Sequence, residues 1–107
     1  MKQPTQQQKD DLLRTRLNQE TARIPWSELE RHFAAGNVVW IAPGLDLIEI
    51  GVLLANDDKD TLAPLIEQGK VARVSDAQAG AWSATGNTLW SVVIAPFVLV
   101  QESKTAH

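Results

Sequence analysis

Chemistry in this chain would have to come from two histidines, scattered carboxylates and serines, because it has no cysteine. That rules out a disulfide, a thiolate zinc site, iron–sulfur ligation and a cysteine nucleophile. His32 stands beside Arg31 with no second histidine four residues away, and the other histidine is His107. Zinc needs three or four convergent N, S or O donors, so neither is expected to ligate a metal. Ser75, Ser83 and Ser91 lie outside any Gly-x-Ser-x-Gly turn, which leaves no nucleophile elbow for a serine triad. Asn56 to Glu67 has the length of a calcium loop, with Asp57, Asp58 and Asp60 near its start. Its sixth position, where the sharp turn needs glycine, is Thr61, and Pro64 stiffens the middle. Helix caps and an interhelical loop are expected there instead. Neither a Gly-x-Gly-x-x-Gly nor a Walker-type Gly-Lys-Ser/Thr phosphate cradle occurs.

Five charged residues stand beside apolar stretches: Asp46, Glu49, Asp57, Asp58 and Arg73. Brought together, they would line an acidic cleft with one cation, the basis of a small enzyme or ligand-binding protein. Each also has a plainer role. Asp46 precedes an apolar run as a helix cap, and Glu49, three positions on, completes a capping box or faces inward. Asp57 and Asp58 suit a solvated loop. Arg73, alone between Ala72 and Val74, suits an edge-strand charge that discourages pairing, or a contact to an anion or partner. The plainer roles are favoured, so no catalytic residue, metal or cofactor is expected.

Four tryptophans dominate the side-chain inventory. Each buries roughly 150–250 Å², a gross gain of roughly 4–6 kcal/mol at ~25 cal/mol per Å². Trp40 and Trp90 fall in strand-like segments and Trp26 just precedes a cap, so these three are expected in the core. Trp82, on a more polar helix, is expected to be a half-exposed contact, with Phe97 as a further candidate interface residue.

The elements that position these residues follow from periodicity and punctuation. Met1 to Lys9 carries four Gln and two Lys with one apolar residue, and is expected to be a disordered tail. Asp10 to Ile24 predicts a helix with Leu13, Leu17 and Ile24 near one stripe. Ser27 and Glu30 predict a capping box, with a helix from Glu28 that buries Leu29 and Phe33 and stops at Gly36. Asn37 to Ile41 predicts a buried strand. Leu47 to Leu54 suits a strand by residue type, but the Asp46 cap and the lack of alternation favour a helix ending near Asn56. A helix from about Asp60 to Gln68, with Pro64 near its first turn and Gly69 after it, leads to a strand at Lys70 to Val74. Ser75 or Asp76 caps a helix through Trp82. Leu89 to Gln101 then reads as strand, with Pro96 at a bulge, an edge or the hinge between two short strands. Residues 34–41 and 67–74 share one plan at a spacing of 33, which, if it is a true repeat, makes their strands neighbours in one sheet.

At 107 residues, 44% of them hydrophobic, the chain fits one domain, 10–102, with a mobile C-terminus at 103–107. The expected class is α+β, with helices packed on a short, mostly antiparallel or mixed sheet. A formal charge of −3 opposes the basic footprint that nucleic acid demands. The longest apolar run, Val92 to Val100, is interrupted by Pro96 and too short to span a bilayer, so no membrane is expected as a partner. The cytoplasm is the expected location.

Four segments carry a resemblance: Ile24-Pro25-Trp26-Ser27-Glu28-Leu29, Leu45-Asp46-Leu47-Ile48-Glu49-Ile50, Asp76 to Trp82, and Leu89 to Glu102. Together they resemble a family of small bacterial proteins classed as a domain of unknown function, over about Leu17 to Glu102. Phe97 stands where that pattern has Trp, which keeps aromatic bulk and removes an indole N–H. The family has no assigned activity, so the resemblance implies no catalytic residue. The function expected from the residues is non-catalytic interaction with protein, including self-association, because the apolar last segment offers a sheet edge or face to a second copy. The rival is the enzyme or ligand-binding cleft above.

Overall fold

A computed structural model describes residues 3–102. The expected mobile C-terminus at 103–107, with His107, lies outside the described residues, as do Met1 and Lys2 of the expected tail. In chain order the elements are α1 (Gln6–Glu20), β1 (Ala22–Pro25), α2 (Trp26–Ala34), β2 (Val38–Ile41), α3 (Leu47–Ala55), α4 (Lys59–Glu67), β3 (Val71–Arg73), α5 (Asp76–Thr85), β4 (Thr88–Ile94) and β5 (Phe97–Gln101). The strands form one mixed sheet ordered β1-β4-β5-β2-β3, antiparallel throughout except that β2 runs parallel to β5. The class is α+β. No helix among the described residues is long and apolar enough to cross a membrane.

Both sheet faces are covered, which explains why β2 and β5 read as continuous apolar runs. Successive side chains of a strand point to opposite faces. Val39 and Ile41 of β2, Leu99 of β5 and Val92 of β4 therefore join Leu17 of α1, the apolar side chains of α3, and Leu62 of α4 on one face. Val38, Val98, Val100 and Leu89 join Trp26 and Leu29 of α2 and Ala79 and Trp82 of α5 on the other. On the first face α1 comes close to α3 at Gly51. A Cβ there would lie 3.0 Å from Leu17 Cδ1 and 3.4 Å from Ile94 Cδ1.

Several elements form as the sequence predicts. Asp46 caps α3, so the Leu47 to Leu54 stretch is helical. Ser75 and Gln78 form a capping box at the start of α5. Gly36, at φ 79°, follows the end of α2. The neighbouring strands implied by the 33-residue similarity, β2 and β3, are paired. Pro96 lies in the turn between β4 and β5, the hinge among the three options.

Two expectations are corrected. The helix drawn over Asp10 to Ile24 instead runs from Gln6 to Glu20, because a capping box between Thr5 and Gln8 starts it a turn earlier. Thr21 then turns extended, and Ala22–Pro25 becomes an edge strand on β4. The Ser27–Glu30 capping box does not form: α2 begins at Trp26 directly after Pro25, with no side-chain cap. The Trp26 N–H donates to the Asn87 carbonyl at 2.9 Å, so the sheet ladder itself holds the helix start.

Candidate functional site

The five charges that could have lined a cleft are each engaged separately. Asp46 Oδ1 accepts from the Ile48 and Glu49 amides at 2.9 and 3.4 Å. Asp58 accepts from the Thr61 amide at 3.2 Å and caps α4. These two caps flank the nine-residue α3, which at ~1.5 Å per residue holds them roughly 14 Å apart. Asp57, at φ 54°, has its carboxylate 3.8 Å from Lys59 Nζ. Arg73 lies on edge strand β3 and donates from Nη1 to the Gly36 carbonyl at 2.7 Å, beyond the end of α2. The cleft is not formed. Among the described residues, no three His, Asp or Glu side chains are placed to hold a metal ion.

Glu49 neither completes a capping box nor faces a cleft. Its carboxylate accepts from Arg14 Nε at 2.6 Å and from Arg14 Nη2 at 3.0 Å, tying α1 to α3. That pair raises the Arg14 pKa further above the ordinary range. Nearby, Asp10 accepts from Asn56 at 2.9 Å and from Gln6 at 2.8 Å, and these bonds hold its carboxyl below the usual value of 3.8. A surface hollow of about 470 Å³ lies beside Asp58, but its lining residues Gln6, Asp10 and Asn56 are bonded to one another.

Trp26 is buried as expected, but the other three tryptophans are placed differently from the sequence expectation. Trp82 is buried at 4% exposure, packed edge-on against Trp26 with ring centroids 5.3 Å apart. Trp40 and Trp90, expected in the core, are half-buried. Trp82 is buried because α5 lies against α2, so its single large side chain becomes a wedge between helices. The strand tryptophans stand toward the margins of the helical cover, where their polar or cationic partners can reach them. Trp40 Nε1 donates to Glu102 Oε1 at 3.0 Å, and the Arg23 guanidinium lies 5.8 Å from the Trp90 ring.

The last segment does not offer a sheet edge. β4 lies between β1 and β5, and β5 between β4 and β2, so both are interior strands. The edges are β1, which ends in Pro25, and the three-residue β3, which carries Arg73; a proline and a charge on short strands both oppose strand addition.

What the segment does expose is its turn. β1 stops at Ala22, opposite Ser91, so β4 runs on without a neighbour on that side. Val93, Val98 and Val38 form a row across β4, β5 and β2, which Val74, just after β3, extends. The last three are buried, whereas Val93 is 58% exposed. Ala95 and Pro96 at the turn are also exposed, and Ile94 and Phe97 are half-buried against the α1/α3 side of the core. The Val98 amide donates to the Asn37 carbonyl at 2.9 Å, which brings the end of α2, with exposed Ala34 and Ala35, beside the same turn. Of the residues singled out from sequence, Phe97 alone lies at this end within the hairpin. The signal that pointed here was an apolar run continuing through a proline turn, where polar residues are the rule.

The chain belongs to the family described as "Protein of unknown function (DUF2288)", whose sequence pattern matches residues 12–102. It is similar to PA1075 from Pseudomonas aeruginosa, known from an NMR solution structure, with 34% sequence identity, 100% of both chains covered and a TM-score of 0.75. No curated protein matches it.

Proposed function

We propose that this member of the DUF2288 family is a non-catalytic interaction module that docks onto protein through the end of the sheet where β4 turns into β5. The observation that carries the reading is the exposure of Val93 next to Ala95 and Pro96, on an interior strand whose neighbouring valines are buried. The chain's candidate reactive charges, by contrast, are engaged in caps and intramolecular pairs. Apolar side chains grouped at a surface gain from being covered, and a proline turn presents them with little entropy left to lose. A chain without cysteine suits a reducing compartment, and we assign it to the bacterial cytoplasm.

The test is affinity capture from native cytosol with the wild type and Val93→Glu side by side. Proteins that depend on this surface are retained by the wild type and lost with the variant. Identical capture profiles would overturn the reading.

A further inference from the structure

We infer that α1 is a hinged strap that limits the docking surface: it opens from α3 with the rest of the fold intact, and in doing so bares Ile94 and the Gly51 face of α3 beside the β4–β5 turn. The opening follows from contacts within the fold, and its bearing on partners rests on the docking reading above.

The sequence of α1 gives it little to bury. Of its 15 residues Leu17 is the buried one and Leu13 is partly buried, whereas Leu12 is 69% exposed. Its polar ties to α3 and the loop after it lie at the surface: the Arg14–Glu49 pair, both members partly in water, and the bond from Asn56 to Asp10. Exposed pairs of this kind exchange with water and hold weakly. An element with few buried apolar contacts opens at lower cost than the sheet it lies on. The chain also has a place to bend. Thr21 leaves helical geometry directly after α1, and Ala22 is paired with Ser91 of β4, so β1 anchors the strap while α1 swings.

What lies beneath is opposite in character. Glu49 is the one polar side chain of α3, and Gly51 leaves a hollow on that helix which Leu17 fills. Leu17 Cδ1 and Ile94 Cδ1 lie 3.0 and 3.4 Å from where a Cβ of residue 51 would stand. Lifting α1 therefore exposes Ile94, which runs on into Ala95 and Pro96 and faces Phe97 across the hairpin. In the closed form the exposed apolar residues here are Val93, Ala95 and Pro96, with Ala34 and Ala35 beside them. These small side chains offer less than the ~800 Å² per partner of a standard interface. The surface under α1 enlarges the patch, and a partner that needs it has an apparent affinity set by the open fraction.

The experiment is native-state hydrogen exchange by NMR on the full chain in rising low concentrations of urea, read at amides inside α1 and at those of β2 and β5. After correction for intrinsic rates the α1 amides are expected to exchange about tenfold or more faster than the strand amides, with a weaker urea dependence, because lifting one helix exposes less surface than unfolding. Exchange of α1 at the strand rate and with the strand urea dependence overturns the inference. Ala79→Gly, in the core on the other face, should quicken the strand amides about fivefold and leave α1 unchanged. An α1 that quickens with them overturns the inference as well. Glu49→Gln should quicken α1 roughly two- to fivefold. In affinity capture the same variant should retain roughly two- to fivefold more of the protein that Val93→Glu loses. Equal capture by Glu49→Gln and the wild type overturns the strap's control of docking. Capture indifferent to Val93→Glu overturns the docking reading instead, and the exchange rates still decide whether α1 opens.

Discussion

The Arg14 guanidinium grips the Glu49 carboxylate through two hydrogen bonds, joining residues 35 positions apart and fastening α1 to the first turn of α3. The same guanidinium reaches Asp11 at 2.9 Å, so one cation organises two helices. Both partners of the pair remain partly in water, with side chains 31% and 46% exposed, which limits its worth.

Replacing Glu49 with Gln is accordingly expected to lower stability by about 0.5–1 kcal/mol. The loss should shrink in ~1 M salt, where exposed pairs are screened. Urea unfolding at low and high salt measures both. An equal loss at the two salt concentrations would mean that packing, not charge, holds the helices together.

Asp10 titrates below its ordinary value because its carboxylate accepts from Asn56 and then from Gln6. A folded pKa depressed below the unfolded one gives stability that is complete above the unfolded pKa and disappears as pH falls through the folded one. The window therefore lies below about pH 4. An NMR titration should place the Asp10 midpoint under 3.8 in the wild type and move it back up in Asn56→Ala.

Trp82 should be the costliest tryptophan to lose after Trp26, since both are buried and stacked edge-on. Trp82→Ala is expected to destabilise by ~3–5 kcal/mol, and the half-buried Trp40 by less. Denaturation of the two variants checks the order. Acrylamide should quench Trp40 and Trp90 and leave Trp26 and Trp82 protected.

Gly51→Leu should lose about 1–3 kcal/mol through overpacking against Leu17 and Ile94. Any gain in helix propensity, up to ~1 kcal/mol, is too small to offset side-chain atoms placed where Leu17 and Ile94 already sit. Thermal unfolding measures the net effect, and an unchanged midpoint would show that α1 can move away from α3 without penalty.

Gln101 illustrates a role that no local pattern announces. It is fully buried, and its Nε2 donates to the Ala42 and Leu45 carbonyls at 3.0 and 2.8 Å, closing the loop between β2 and α3 from the far end of the chain. In the sequence it is simply a polar residue following an apolar run.

What the order of residues determined unaided was whatever depends on near neighbours. Asp46 and Ser75 announce helix starts because a short polar side chain can reach amides two or three positions on. Gly36 announces a helix exit, and the uncut apolar runs of β2 and β5 announce burial on both faces. The α+β class follows from those alone. Tertiary structure alone decided which faces meet. Ala22–Pro25 is a strand because β4 is available to pair with it, Trp82 is buried because α5 comes to rest on α2, and Val93 is bare because β1 ends three positions short of β4's turn. Exposure and pairing are properties of residues far apart in the chain, settled only when the whole set of elements finds the packing that buries the most apolar surface while pairing its backbone.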